Sequence, residues 1–232
     1  MADYPVTVFF TKEGYFKKIT PQSLRMSGEQ KLKEGDEIAW QAETRNNLEL
    51  LFFTNQHQVY KCKVGDFEDG KARDLGVFIP TKLGMDEGEM PVFMLLTADY
   101  KGWMLFFYEG GKCAKIPLAS YATKQNRRKL LKAYSDKAPL VKMVHIAEET
   151  ELAVRTSAGR MLLVGTALIA EKATRDSAGV NVVTLKKNQT ISSVKPAAEL
   201  EIANPHRYRV RTLPATGAII RAEDTSEQMS LL

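Results

Sequence analysis

Cysteine is scarce in this 232-residue chain, where Cys62 and Cys113 are the only two. Each stands beside lysines at a similar place in two separate stretches, so two reduced thiols are expected rather than a disulfide framework. The three histidines, His57, His145 and His206, are scattered with no Cys, Asp or Glu at ligand spacing, which argues against a metal site. No apolar run approaches the roughly 18 residues that a membrane-spanning helix needs. The start, Met1-Ala2-Asp3-Tyr4, has neither a basic n-region nor an apolar h-region. The expectation is a cytoplasmic protein with no membrane partner. Also missing are a P-loop, a G-x-S-x-G elbow and paired acids near a basic cleft residue. No catalysis, and no cofactor, is expected of this chain by itself.

What is present is repetition. Three stretches follow one template: Val8-Phe9-Phe10-Thr11 continuing to Lys17-Lys18-Ile19, Leu51-Phe52-Phe53-Thr54 continuing to Tyr60-Lys61-Cys62, and Leu105-Phe106-Phe107-Tyr108 continuing to Lys115-Ile116. A fourth, Leu152 to Val164, fits it more loosely. Each is an apolar run, a polar or Gly turn, and a return strand carrying Lys or Arg. The landmarks Thr11, Thr54, Tyr108 and Thr156 are 43, 54 and 48 residues apart, in the range of propeller blades and too long for most solenoids. With 44% hydrophobic and 26% charged residues the chain can bury a core. One all-β domain over 1–232 is expected, with 200–232 as closing strands and a loose tail from Ser226 to Leu232.

Alternation after each turn fits a strand with one wet face, and Gly14, Gly110 or Gly159 in a two-residue turn supplies positive φ for a hairpin. A second apolar element follows each hairpin: Glu37–Trp40, Met90–Leu96, Leu140–Ile146, and Gly179–Leu185 with Gln189–Val194. Polar connections carry Arg25, Arg73, the pair Arg127-Arg128, and Arg175. Ser120 to Tyr134 is the chief helical candidate. Trp40 and Trp103 read as packing residues whose N–H groups find partners. His206 to Arg211 alternates basic and other residues, as an edge strand with a basic outer face does.

Charge is uneven. The formal net charge is +5, and Lys112 to Lys132 holds seven basic residues and no acidic one, whereas Asp66–Asp69 and Asp86–Glu89 are acid clusters. This points to a polyanion on one face, above all because basic residues recur at the same place in successive repeats.

The repeated grammar of apolar strand, Thr-x-x-Gly hairpin, basic return strand, Arg-x-x-Gly loop and apolar strand resembles the carboxy-terminal domain of the A subunit of bacterial type IIA topoisomerases, DNA gyrase and topoisomerase IV. The match runs from Val6 to about Val194. Leu24-Arg25-Met26-Ser27-Gly28, Arg73-Asp74-Leu75-Gly76 and Arg175-Asp176-Ser177-Ala178-Gly179 fit the family's Arg-containing loop. The segment Tyr208 to Gly217 and the terminus Gln228-Met229-Ser230-Leu231-Leu232 look like the end of such subunits from Gram-positive bacteria. Gyrase proper carries a Q-R-R-G-G-x-G box after the first hairpin. Here Gln30-Lys31-Leu32-Lys33-Glu34-Gly35 keeps only part of it, which is similar to topoisomerase IV.

The resemblance implies a β-pinwheel, a propeller-like disc of about five blades of which four are readable, with a basic rim that binds and bends double-stranded DNA. It implies as partners the catalytic amino-terminal region of the same subunit, which holds the cleaving tyrosine, and the ATPase B subunit. The residues expected on phosphates are Arg25, Lys31, Arg73, Lys124, Arg127, Arg128, Lys129, Lys132, Arg160 and Arg175. Phosphate contacts carry no base code, so binding should be sequence-tolerant. Two rivals are a protein-docking propeller and a glycan-acting ring. No Trp-Asp dipeptide recurs, and Gly110-Gly111 is the only double glycine, which speaks against WD40 and kelch repeats. Glu148, Glu149 and Glu151 are adjacent in sequence and read as a hairpin loop rather than a carboxylate pair for hydrolysis.

Overall fold

Residues 1–124 and 127–225 are described by the structure, a computed structural model. Along them run β1 (Pro5–Thr11), β2 (Tyr15–Ile19), helix α1 (Pro21–Met26), β3 (Ile38–Arg45), β4 (Glu49–Thr54), β5 (Val59–Lys63), β6 (Val77–Phe78), helix α2 (Ile79–Lys82), β7 (Pro91–Thr97), β8 (Trp103–Tyr108) and β9 (Lys112–Pro117). Then come β10 (Lys129–Leu130), β11 (Leu140–Ile146), β12 (Glu151–Thr156), β13 (Arg160–Gly165), β14 (Val180–Asn181), β15 (Ile191–Pro196) and β16 (Ala218–Ile219). The all-β class expected from the repeats is observed, as is the β-pinwheel class that the resemblance implies.

Every repeat opens with the hairpin the sequence predicted, and all four turns share one geometry. The landmark residue accepts the closing bond: Gly14 N to Thr11 O (3.1 Å), His57 N to Thr54 O (3.3 Å), Gly111 N to Tyr108 O (3.0 Å) and Gly159 N to Thr156 O (3.1 Å). The donor residue is left-handed in each, with φ of 98°, 58°, 99° and 71°. These are three-residue loops ending in a left-handed residue, not two-residue turns, and in the third repeat the residue is Gly111 rather than Gly110. The second repeat places His57 there, a residue type that tolerates the region better than most.

The strands pair as four four-stranded sheets, ordered β3-β1-β2-β6, β10-β5-β4-β7, β11-β8-β9-β14 and β15-β12-β13-β16. In the first three sheets one outer strand comes from beyond the next hairpin. That strand meets the return strand over only two residues, so the backbones must approach closely at its entrance. Gly76 and Gly179, which end the Arg-containing loops, make this possible: both are left-handed, and a Cβ there would lie 2.6 Å from the Phe16 carbonyl and 2.1 Å from the Cys113 carbonyl.

The chain forms two compact units: Met1–Tyr100 with Thr123–Ala133, and Lys101–Ala122 with the chain from Tyr134 on. In the first, alternate residues Val6, Val8 and Phe10 of β1 and Leu50 and Phe52 of β4 share a core with Phe16, Phe67, Ile79 and Met94. Phe10 and Phe52 meet edge to face at 5.1 Å. Trp40 packs on Phe10, as expected of a core indole. In the second, Leu105, Phe107, Leu152, Val154, Leu162 and Val164 do the same for their two sheets. From its second residue to its last β4 is buried throughout, which explains why its sequence is a continuous apolar run. The neighbouring β3 alternates half-buried and exposed residues.

Several expectations are corrected. Among its described residues Ser120–Tyr134 is not an α-helix: a 3-10 turn (Leu118–Tyr121) ends within its first two residues and Lys129–Leu130 form β10. Burying Leu130 beside Val59 in a strand satisfies both its side chain and its backbone. His206–Arg211 is not an edge strand. It begins as a 3-10 turn (Pro205–Arg207), after which Tyr208 is buried, and Arg207 and Arg209 face carboxylates. Four sheets, not five, form among the described residues, because the chain beyond Leu200 adds β16 to the fourth sheet instead of building another. The tail expected at Ser226–Leu232 lies outside the described residues.

Candidate nucleic-acid interface

The basic residues that recur at one place on the return strands are turned to internal partners, Lys18 and Lys115 buried and Lys61 half-buried. Register places Lys18 opposite Val8, Lys61 opposite Leu51 and Lys115 opposite Leu105, three equivalent positions, and the fourth holds Leu163 opposite Ala153. Each lysine reaches the turn that follows its sheet's outer strand. Lys18 Nζ donates to Asn46 Oδ1 (2.7 Å), after β3. Lys61 lies 5.2 Å from the Tyr100 ring, after β7, and donates to Thr123 Oγ1 (3.1 Å). Lys115 pairs with Glu149 Oε1 (2.5 Å), after β11, donates to the Thr166 carbonyl and sits 4.6 Å from the Trp103 ring. Burial works against the Glu149 carboxylate, but hydrogen bonds from Lys115 and Thr166 outweigh it and hold the carboxyl below its usual range. The Trp103 N–H donates to Glu171 (2.7 Å). These lysines are tie points. Their recurrence, read from sequence as a functional signal, is a structural one.

Lys17 is also buried, and its Nζ donates to the carbonyls of Lys31 (3.3 Å), Ala72 (3.0 Å) and Asp74 (2.8 Å). Burial lowers its pKa. One ammonium thereby locks the segment after α1 against the Arg73 loop, and the Lys31 N–H adds a bond to the Ala72 carbonyl (2.8 Å).

The expected site residues fall into distinct groups. In the first unit Arg25, Lys31 and Arg73 are exposed, and Arg73 joins Lys71, Ser23, Met26, Ser27 and Ala72 around a cleft of about 300 Å³. Lys124, Arg127, Arg128 and Lys132 are exposed as well. Arg128 closes a second cleft, about 350 Å³, with Lys61, Cys62, Lys82 and Asp66. Burial pushes the Cys62 thiol up to about 12 despite the charges of Lys82 and Arg128. Lys129 is held by Asp86 (3.2 Å) and lies over the Tyr60 ring (5.5 Å). A hydrogen bond from Gln58 and the Lys129 ammonium keep the Asp86 carboxyl below its usual range.

In the second unit Arg160 and Arg175 are half-buried, donating to the carbonyls of Gly217 (2.8 Å) and Ser120 (3.0 Å). The buried Nε of Arg175 has no partner among the described residues. Glu151 pairs with Arg209 (2.8 Å). Sequence reasoning missed Lys71 and Lys82. Lys71 was within reach, two residues from Arg73, but nothing local marks Lys82, which the path through α2 carries to Arg128.

No family model matches the chain. The A subunit of DNA topoisomerase 4 from Staphylococcus epidermidis is 25% identical over 186 residues, 78% of this chain and 23% of that protein. The chain thus spans under a quarter of that relative's length. Among solved structures, the C-terminal domain of DNA topoisomerase IV is similar with a TM-score of 0.78 at 22% identity, covering 97% of this chain and 76% of that one. The E. coli ParC C-terminal domain follows at 0.69, 14% identity and 95% of both chains. The DNA gyrase A C-terminal domain gives 0.58 at 15% identity, covering 96% of this chain and 80% of that one. The fold is that of these domains, and the resemblance read from the repeats is borne out.

Proposed function

We propose that this chain is a non-catalytic duplex-DNA-binding domain belonging to the A subunit of a type IIA topoisomerase. The supporting observation is the division among its cations. The return-strand lysines Lys17, Lys18, Lys61 and Lys115 are engaged by neighbouring groups, whereas the side chains of Arg25, Lys31, Arg73, Lys124, Arg127, Arg128 and Lys132 are exposed and make no hydrogen bond or ion pair to another described residue. Unpaired cations on successive connecting loops suit a line of phosphates, not a cluster of base edges, so binding is sequence-tolerant. Following such loops curves the duplex. Bending 20–30 base pairs through 40–90° costs on the order of 1 to 6 kcal/mol, which release of condensed counterions must offset.

In this reading all 232 residues act as one domain in the cytoplasm and present a DNA segment to the cleaving amino-terminal region of the parent subunit. The ATPase B subunit completes the enzyme, and the domain itself needs no cofactor. The test is binding of linear duplex at rising salt, with Arg127→Ala/Arg128→Ala beside the parent sequence. Affinity should fall steeply with salt, and the double variant should flatten that dependence by roughly two charges. Affinity unmoved by salt or by the double substitution rejects the proposal.

A further inference from the structure

The surroundings of α1 point to an apolar contact that phosphate binding does not supply. Resting on the DNA reading, we infer that Met26 is a wedge that lies against the sugar and base edges of the bound duplex while the adjoining cleft seats a phosphate. The helix is short, starts at the Thr20 cap with Pro21 in its first turn, and buries none of its side chains. Its one anchor is the half-buried Leu24, which packs on Phe9, Ile19 and Ala72. Met26 is 82% exposed, more than any other large hydrophobic residue described. That thioether contributes nothing to the fold, and it leaves apolar area in water.

Its neighbours are those of an anion site. The cleft joins two hydroxyls, Ser23 and Ser27, to two cations, Lys71 and Arg73, with Met26 on its edge and Arg25 next in sequence. The Asp74 carboxylate of the same loop accepts from the Lys71 N–H (2.8 Å). The Lys71–Arg73 wall is preorganised, since the buried Lys17 ammonium and the Lys31 N–H hold it to the segment that follows α1 before any ligand arrives. A protein partner would call for a broad apolar patch. A single flexible apolar side chain among cations suits DNA, where Met, Leu or Phe inserted at a base step eases bending.

The experiment measures binding of the intact chain to a duplex of about 30 base pairs by anisotropy across a salt series, and its bend by energy transfer between the duplex ends. Met26→Gln should weaken binding about five- to tenfold at every salt concentration, with the salt slope unchanged and the bend reduced. Met26→Leu should behave as the parent. Arg73→Ala should lower the slope by about one. Because Met26 is exposed, the variants keep the fold, and circular dichroism verifies it. If Met26→Gln matches the parent while Arg73→Ala still flattens the slope, the wedge is overturned and the DNA reading stands. If Met26→Leu is as weak as Met26→Gln, an apolar contact is overturned too. Absence of salt-dependent binding by the parent removes both.

Discussion

The return-strand lysines and the loop 127–132 carry the same charge in opposite roles. Lys115 is 4% exposed and its ammonium meets a carboxylate, a carbonyl and an indole face. Arg127, Arg128 and Lys132 face water. What separates them is register against a core strand, not local composition. A lysine opposite Leu105 has its stem over the sheet and must find partners for its head, whereas a loop residue owes the fold nothing.

Removing a tie point should have the largest effect. Lys115→Ala strands Glu149 and is expected to cost roughly 2–3 kcal/mol in urea unfolding, below the full value for a buried pair because Glu149 is partly solvated. Its salt dependence of DNA binding should stay that of the parent. The loop variant Arg127→Ala/Arg128→Ala should do the reverse, moving stability by less than about 0.5 kcal/mol while weakening binding. If Lys115→Ala leaves stability intact, or the double variant unfolds the chain, the division fails.

The fourth sheet sharpens the contrast, because Leu163 holds the lysine's place. There the chain's closing segment is tied through Tyr208, whose carbonyl accepts from the Leu163 N–H (2.8 Å) and whose hydroxyl donates to the buried Asp224. Hydrogen bonds from Asn204 and Tyr208, with the Arg207 charge, hold the Asp224 carboxyl down at about 2. A carboxyl depressed below its unfolded value near 3.9 contributes stability that is complete above that pH and lost as pH falls toward 2. Acid titration followed by Tyr208 fluorescence or amide exchange should release this segment between about pH 4 and 2, and Asp224→Asn should abolish the pH dependence. The smallest effect belongs to Lys129→Ala. Its pair with Asp86 is exposed and screened by solvent, so stability should not move measurably, while the Asp86 carboxyl should rise toward its ordinary value by NMR titration.

Hairpins, period and sheet class were legible in the residues because local rules set them. Apolar runs broken by a short polar or Gly turn and followed by a return strand form the hairpins, and Arg73 to Gly76 announces the close approach that only glycine permits. Ser120–Tyr134 misled, since its short-range pattern suits a helix and the edge of β5 that claims Leu130 lies about seventy residues earlier in the chain. The candidate site was half legible. Exposed arginines in the polar connections were visible in sequence, but so were Lys17, Lys18, Lys61 and Lys115, and no window of sequence separates the two kinds.

The amino-acid order by itself determined four hairpins and the number of cations, because those depend on neighbours within a few residues. Which cations are consumed as internal ties and which remain for a ligand was decided only by tertiary structure. Burial, register and the carbonyls that gather around Lys17 come from segments up to 57 residues away, and those distant groups set the cost of leaving a charge unpaired.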